Sequence, residues 1–283
     1  MGMAGLMPPS QRSEVRAAVR RALALPPWHW EPLPSSDEIG DLVNAADSFR
    51  ATGALADAEH CYARAAEAIV GLRDAAAISD ADRANALLRC DGVARCLSAL
   101  IRVCLQAKLR RFGEAWDTLC DAEAAVDDAC AVKPLDAWVS AMADCVATIR
   151  ETFPPQLFNS LGMTVEKMEC TICGGNPASC PHIAGRVYSG RRAARRITQY
   201  SLQEVSIVLD AANPRCRAVP ADWPYEQGFF LTSEEATRLG EAGELGPDAW
   251  QREFHRILGG QNARPSLGRA GDFGPRLISY GGG

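Results

Sequence analysis

The chain of 283 residues lacks any run of apolar residues long enough to cross a membrane, since a spanning helix needs about 20 predominantly apolar residues. Its first 25 residues interleave arginines with small residues, unlike a secretory signal. Leu6 stands where myristoylation of Gly2 requires serine or threonine. We therefore expect a cytoplasmic protein without membrane attachment.

The common catalytic and nucleotide-binding motifs are also missing. There is no GxxxxGK[ST] loop, no GxGxxG after a strand and no HExxH helix. Only four histidines occur. His29 and His255 have no catalytic partners in sequence, and His60 is adjacent to Cys61 on a predicted helix, where neighbours point about 100° apart. The sequence leans toward a protein that is not an enzyme.

The overall composition favours two modest globular units, with 47% hydrophobic and 23% charged residues. A net charge of -5 argues against a general nucleic-acid coat, although it leaves room for a local basic surface. Seven of the eleven cysteines are scattered through alanine-rich sequence between Cys61 and Cys145. We interpret these seven as small buried apolar residues rather than a disulfide framework.

The N-terminal half is predicted to be all helical. Residues 1–36 form a first helix and a proline-rich linker, in which Ser35, Ser36 and Asp37 can cap the next helix. Residues 37–152 are rich in Ala, Leu, Arg and Glu, with apolar residues three and four apart. This pattern is typical of packed antiparallel helices.

Residues 42–69 resemble a tetratricopeptide repeat. Gly53 falls where the turn between the two helices should be, and Phe49 and Tyr62 are expected to fill the space between them. Small residues would let the helices approach closely: Ala45, Ala46, Ala58 and Ala65. A second, weaker candidate covers residues 100–126. The alternative is an ordinary helical bundle with alanine at its crossings.

The character of the sequence changes after the prolines at 154 and 155, which predicts a domain boundary. Residues 157–219 should form a zinc-stabilised β module, residues 220–258 short helices and residues 259–283 a flexible glycine-rich tail. Thr232 and Glu235 form a capping box for the first of these helices. The predicted fold class is α+β.

The sharpest local signal is the segment MECTICGGNPASCPHI. Cys170 and Cys173 have the spacing of a thiolate knuckle, and Cys180 and His182 complete four ligands if their stretch is extended. Three thiolates and one imidazole favour zinc, and four protein ligands leave no open position for a reactive water. We predict a structural Zn²⁺; the alternative is free thiols or a redox pair.

An arginine-rich segment follows the predicted zinc site, with no acidic residue before Glu204. It could contact the phosphates of a nucleic acid, or it could contact a protein partner. The alternative is a solvated surface, because only one aromatic residue lies among the arginines. The candidate contact residues are Arg186, Tyr188, Arg191, Arg192, Arg195 and Arg196.

The segment LQEVSIV, at 202–208, followed by Ala212-Asn213-Pro214, resembles the closing strand of tailed-phage prohead proteases. The resemblance covers about twenty residues and hints at a phage-related or anti-phage setting. It implies a serine peptidase, but Ser206 has no nearby histidine other than His182, which is assigned to the metal. A degenerate peptidase relative is therefore the least favoured function.

The leading hypothesis is a non-enzymatic adaptor or regulatory protein with two recognition surfaces. The helical groove would bind a protein partner, and the zinc module would present a small β surface. Nucleic-acid binding through the arginines is the alternative.

Overall fold

The computed structural model describes residues 6–30, 38–219 and 223–259. Its described part contains eight α-helices and four β-strands, an α+β fold as predicted. The predicted cap at residues 35–37, part of the proline linker and the tail beyond residue 259 lie outside the described residues. None of the described helices is both long enough and apolar enough to span a bilayer.

Six helices build the N-terminal half, in agreement with the predicted all-helical region. They are α1 (Pro9–Leu23), α2 (Glu38–Thr52), α3 (Leu55–Ser79), α4 (Ala81–Lys108), α5 (Phe112–Ala131) and α6 (Ala137–Thr152). Asp80 and Asp136 cap α4 and α6 by accepting hydrogen bonds from backbone N–H groups in the first turn.

The helical core is packed largely with small side chains. Ala84, Ala94, Ala115 and Ala122 are fully buried, which allows α4 to approach its neighbours closely. Gly92 on α4 lies against α5 so tightly that an added Cβ would be 2.6 Å from the carbonyl oxygen of Ala125. Small residues at the crossing therefore set the distance between α4 and α5.

The cysteines of the helical region are free thiols, and four of the seven are buried. Burial raises the pKa of Cys90 and of Cys120 to about 12. These thiols stay neutral at physiological pH and pack as apolar side chains. The interpretation as buried residues is therefore confirmed for four of the seven, whereas Cys61, Cys130 and Cys145 are only half-buried.

The turn predicted between α2 and α3 is present at Gly53, which adopts a φ of 81°. Tyr62 is fully buried between the helices, and its hydroxyl donates a hydrogen bond of 2.5 Å to Asp47. Phe49 is 37% exposed, so its predicted role in filling the interhelical space is wrong. Tyr62 alone, anchored by Asp47, fills that position.

A two-stranded antiparallel ribbon forms the main β structure. It pairs β1 (Phe158–Cys170) with β4 (Arg195–Val208), while β2 (Val187–Tyr188) and β3 (Arg191–Arg192) form a small hairpin within the loop that joins them. At its base, Phe158 packs against Trp116 of α5, with ring centroids 6.0 Å apart. The segment at 202–208, which resembles a closing strand, lies within β4.

The base of the ribbon and the loop at its far end both contact α5. The base lies at Trp116, and Arg192 of the loop lies at Asp128, positions about 18 Å apart along a helix at 1.5 Å per residue. The ribbon itself spans about 40 Å at 3.3 Å per residue. It is thus longer than the distance between the two contacts, and residues 164–168 and 195–205 are all exposed.

Two short helices complete the described fold, α7 (Ser233–Glu244) and α8 (Pro247–Gly259). The capping box predicted at Thr232 and Glu235 is present, with both reciprocal hydrogen bonds formed. Leu239 and Ile257 pack with Leu157 and Phe229 in a second, smaller core beside the ribbon base.

Candidate metal centre

The loop between β1 and β4 brings the four predicted ligands together. Cys170 is the last residue of β1, and Cys173 lies in the turn that follows it. The ligand atoms of Cys170, Cys173, Cys180 and His182 all lie within 4.8 Å of one another. Sulfur atoms bound to one tetrahedral Zn²⁺ are about 3.8 Å apart, because Zn–S bonds measure about 2.3 Å. The cluster is therefore compact enough to hold one metal ion.

His182 is the member of the cluster whose environment most clearly fits a bound ion. Its Nδ1 atom is buried and has no hydrogen-bond partner among the described residues. A buried, unpaired imidazole nitrogen is unfavourable unless it binds something. The ring is held by the edge of Tyr188, with centroids 4.8 Å apart. A metal ion within the cluster would satisfy this nitrogen.

The knuckle around Cys170 stabilises a thiolate. Backbone N–H groups of Cys173 and Ile172 point at its sulfur and lower the pKa of the Cys170 thiol. Gly174 follows with a φ of 70°, a conformation that glycine adopts without strain, and its N–H donates to the carbonyl of Cys170 at 2.8 Å. The turn therefore supplies a ligand already biased toward its metal-binding form.

The backbone conformation that brings Cys180 and His182 to the cluster differs from the extended one we predicted. They lie in a bend after the turn at residues 177–179, and no strand contains either residue. The hydrogen bond from the backbone N–H of Cys180 to the carbonyl of Asn176, 3.1 Å long, closes this turn. A turn rather than an extended segment thus places the second ligand pair.

The metal-binding loop is docked on the helical domain through residues that the sequence did not single out. Gly190, in the β2–β3 turn, donates its N–H to the side-chain oxygen of Asn85 on α4 at 2.7 Å. Arg192 lies 3.6 Å from a carboxylate oxygen of Asp128 on α5. No pattern in the sequence links these positions, because the partners are 64 to 105 residues apart.

Beneath this docked turn lies a buried ionic network. Asp91 of α4 is 2% exposed and accepts hydrogen bonds from Arg73 at 2.8 Å and from Arg95 at 3.0 and 3.1 Å. Arg95 also bonds Asp128, the carboxylate that faces Arg192. A series of ionic contacts therefore links α3, α4 and α5 to the metal-binding loop.

The predicted contact residues are not one free basic surface. Arg192 and Arg196 form ion pairs, Arg196 with Glu169 at 3.3 Å, and Arg191 donates to the carbonyl of Thr171 at 2.6 Å. Tyr188 packs on His182, and its hydroxyl accepts a hydrogen bond from Ile183. Among these five arginines of the described chain, Arg186, Arg191 and Arg195 are exposed and form no ion pair.

Arg195 instead lines the same cleft as Cys170, Cys180 and His182. A Zn²⁺ ion with three thiolates and a neutral imidazole carries a net charge of about -1. A guanidinium beside such a centre is electrostatically favourable. The charge of Arg195 would therefore partly offset that of a bound Zn²⁺.

Ser206 and His182 lie at opposite ends of the ribbon. Ser206 pairs with Ser160 near the base, whereas the metal cluster begins at Cys170, about 33 Å away at 3.3 Å per residue. A serine and its general base must lie within hydrogen-bond reach. The two residues are not brought together.

Known proteins provide no relative for this arrangement. No protein family, curated protein or solved structure matches the chain. The resemblances to tetratricopeptide repeats and to prohead proteases therefore remain predictions from the sequence, and the metal centre must be understood from its own geometry.

Replacing Gly190 by alanine is expected to undock the metal-binding loop. The new Cβ would lie 2.9 Å from the backbone oxygen of Ala84 and 2.8 Å from Cγ of Arg73. We expect trypsin to cut faster after Arg191 and Arg192, which a mass spectrum of the fragments would show. Gly185→Ala is the matched control, since Gly185 has a φ of 86° but no atom within 4 Å of its added Cβ. Equal cleavage of the two variants would contradict the docking.

Proposed function

We propose that the chain is a non-enzymatic protein-interaction protein, an adaptor or regulator, in which one structural zinc ion holds the tip of the ribbon on the helical domain. The observation that carries the proposal is the closed set of four ligands at the end of a docked, exposed ribbon. A four-coordinate site has no open position for a substrate or an activated water.

The chemistry of the donors supports zinc. Thiolates select soft or borderline metals, and a set of three cysteines and one histidine with tetrahedral spacing is characteristic of structural zinc. The unpaired Nδ1 of His182 fits a bound cation. When bound, the zinc would supply a cross-link between the end of β1 and the loop that docks on α4 and α5.

The ribbon is the better candidate for the recognition surface. We predicted a partner in the helical groove, but α1 packs along α4 and α6, with Val15 and Val19 fully buried. A ligand on that face would have to displace α1. The tetratricopeptide likeness is confined to α2 and the first part of α3, because α3 and α4 have 25 and 28 residues, each too long for one helix of a 34-residue repeat.

The arginine contacts weigh against nucleic-acid binding as the main function. Binding of a phosphate backbone is driven by free, clustered cations that release counterions. Here Arg192 and Arg196 already pair with carboxylates. Each arginine would have to break its ion pair before it could contact a phosphate, which lowers the net free energy gained on binding.

The experiment is co-purification of cross-linked proteins from the cells that produce the chain. Cys173→Ser removes one metal ligand, and Cys61→Ser is the matched control, a cysteine outside the cluster. We expect the partners recovered with the wild type to be retained by Cys61→Ser and lost with Cys173→Ser. An unchanged set of partners with Cys173→Ser would remove the metal module from the function.

A further inference from the structure

The two faces of the ribbon differ sharply in chemistry. Residues directly opposite each other in an antiparallel pair point to the same face. One face, here called the apolar face, carries four successive cross-strand pairs of large apolar residues: Leu161–Val205, Met163–Leu202, Val165–Tyr200 and Met168–Ile197. The opposite face carries mainly polar residues: Ser160, Thr164, Lys167, Glu169, Arg196, Gln199, Ser201, Glu204 and Ser206.

Three irregularities in the pairing keep the apolar residues together. The register shifts between Gly162 and Met163, between Val165 and Lys167, and between Lys167 and Met168. Each shift leaves one residue unpaired, and one extra residue reverses the face to which the following side chains point. If Gln203 were paired as in a regular strand, for example, Leu202 and Val205, three positions apart, would lie on opposite faces. The bulges therefore preserve one continuous apolar face along both strands.

Most of this face is open to solvent in the described structure. Tyr200, Leu202 and Val205 are 50, 52 and 57% exposed, four other members of the face are 37 to 44% exposed, and Met163 is half-buried. The exposed side chains together present on the order of 600 Å² of apolar surface, the upper end for a soluble monomer. Isolated two-stranded ribbons are marginally stable in water without a covering layer. The apolar face of the ribbon thus has the composition of a buried sheet surface, but no other described element packs on it.

We propose that this apolar face is the interface of a homodimer, in which the ribbons of two copies pack face to face. An interface of this kind is built from the same patch on both copies, so an uncharged aliphatic surface complements itself. Two copies would bury roughly 1,200 Å², the lower limit of a standard stable interface. The occupant is therefore a second copy of this chain.

The charges of the ribbon are consistent with self-association. Its ionisable side chains are three acidic (Glu166, Glu169 and Glu204) and three basic (Lys167, Arg195 and Arg196), so they sum to zero. Two neutral ribbons do not repel each other, and they offer no charge that would select an acidic or a basic partner. The dimer would have its two metal-binding tips and two helical domains outside a four-stranded, two-layered centre.

Sedimentation equilibrium of the full-length chain tests the proposal, at protein concentrations from about 1 to 100 µM, where interfaces of this size associate. We expect a monomer–dimer equilibrium for the wild type. Leu202→Glu places a carboxylate in the centre of the apolar face of both copies and should weaken dimerisation by about 100-fold or more. Leu202 is 52% exposed in the single chain, so the variant should fold, which circular dichroism would verify.

Gln199→Glu is the matched control. It introduces the same charge on the same strand but on the polar face, opposite Lys167. It should leave the dimer intact. A monomeric wild type over the whole concentration range, or equal effects of the two variants, would overturn the proposal. The dimer and the proposed function can be tested separately. If the wild type were monomeric but Cys173→Ser still lost its partners, the dimer alone would be refuted.

Discussion

Replacing Asp91 by alanine should lower the free energy of unfolding by about 3–5 kcal/mol, because it leaves two arginines without their buried counter-charge. Asp91 is 2% exposed, and it bonds Arg73 and Arg95 at 2.8 to 3.1 Å. Arg73 has a side-chain exposure of only 17% and lies directly under Gly190 of the metal-binding loop. The loss should therefore reach both the helical core and the docked loop.

Urea denaturation followed by circular dichroism measures this loss. Asp74→Ala is the control, since Asp74 contacts the same Arg73 at 3.6 Å but is 67% exposed. Exposed ion pairs contribute about 0–1 kcal/mol. A loss of less than about 1 kcal/mol in Asp91→Ala would show that the buried network does not stabilise the fold.

The second large effect is expected at the crossing of α4 and α5. Gly92→Ala should lower the free energy of unfolding by about 2 kcal/mol, although alanine is the better helix former. Its Cβ would meet the carbonyl oxygen of Ala125 at 2.6 Å and the Cβ of Ala129 at 3.0 Å. Backbone atoms cannot yield as a flexible side chain can, so the two helices must separate.

Gly71→Ala provides the matched substitution in α3. Nothing lies within 4 Å of a Cβ added at Gly71, so only helix propensity changes, and stability should rise by about 0.5–1 kcal/mol. The two glycine-to-alanine changes should therefore have opposite signs in the same denaturation experiment. If both variants were stabilised, the close approach of α4 and α5 would be wrong.

The sequence predicts best those features that local spacing determines. Helices follow from the periodicity of apolar residues, and the box of Thr232 and Glu235 is formed by residues three apart. The ligands are similarly local, because all four lie within thirteen positions and two turns bring them together. Tight turns are determined by neighbouring residues, so they can be predicted without knowledge of the fold.

Long-range pairing accounts for most of what sequence reasoning missed. The sequence analysis does not predict the strand β1, because its partner β4 follows after a 24-residue loop and the bulge at Glu166 interrupts its alternation of apolar residues. Asn85 and Asp128 carry no signal of their role, since each is an ordinary polar residue on a helix. Tyr188 was assigned to an external contact because its packing on His182 depends on the folded loop.

The metal centre connects these features. Its ligands join the end of β1 to the loop, and the loop in turn contacts α4 through Asn85 and α5 through Asp128. A metal ion bound there would fix the tip of the ribbon, while Phe158 and Trp116 fix its base. Held at both ends, the ribbon would present its apolar face as one surface.

Elemental analysis of freshly purified protein tests this account most directly. The wild type and Cys61→Ser should each contain one zinc ion per chain, and Cys173→Ser should contain none while its helical signal in circular dichroism persists. Absence of metal from the wild type, or equal metal content in Cys173→Ser, would contradict a structural zinc bound by Cys170, Cys173, Cys180 and His182.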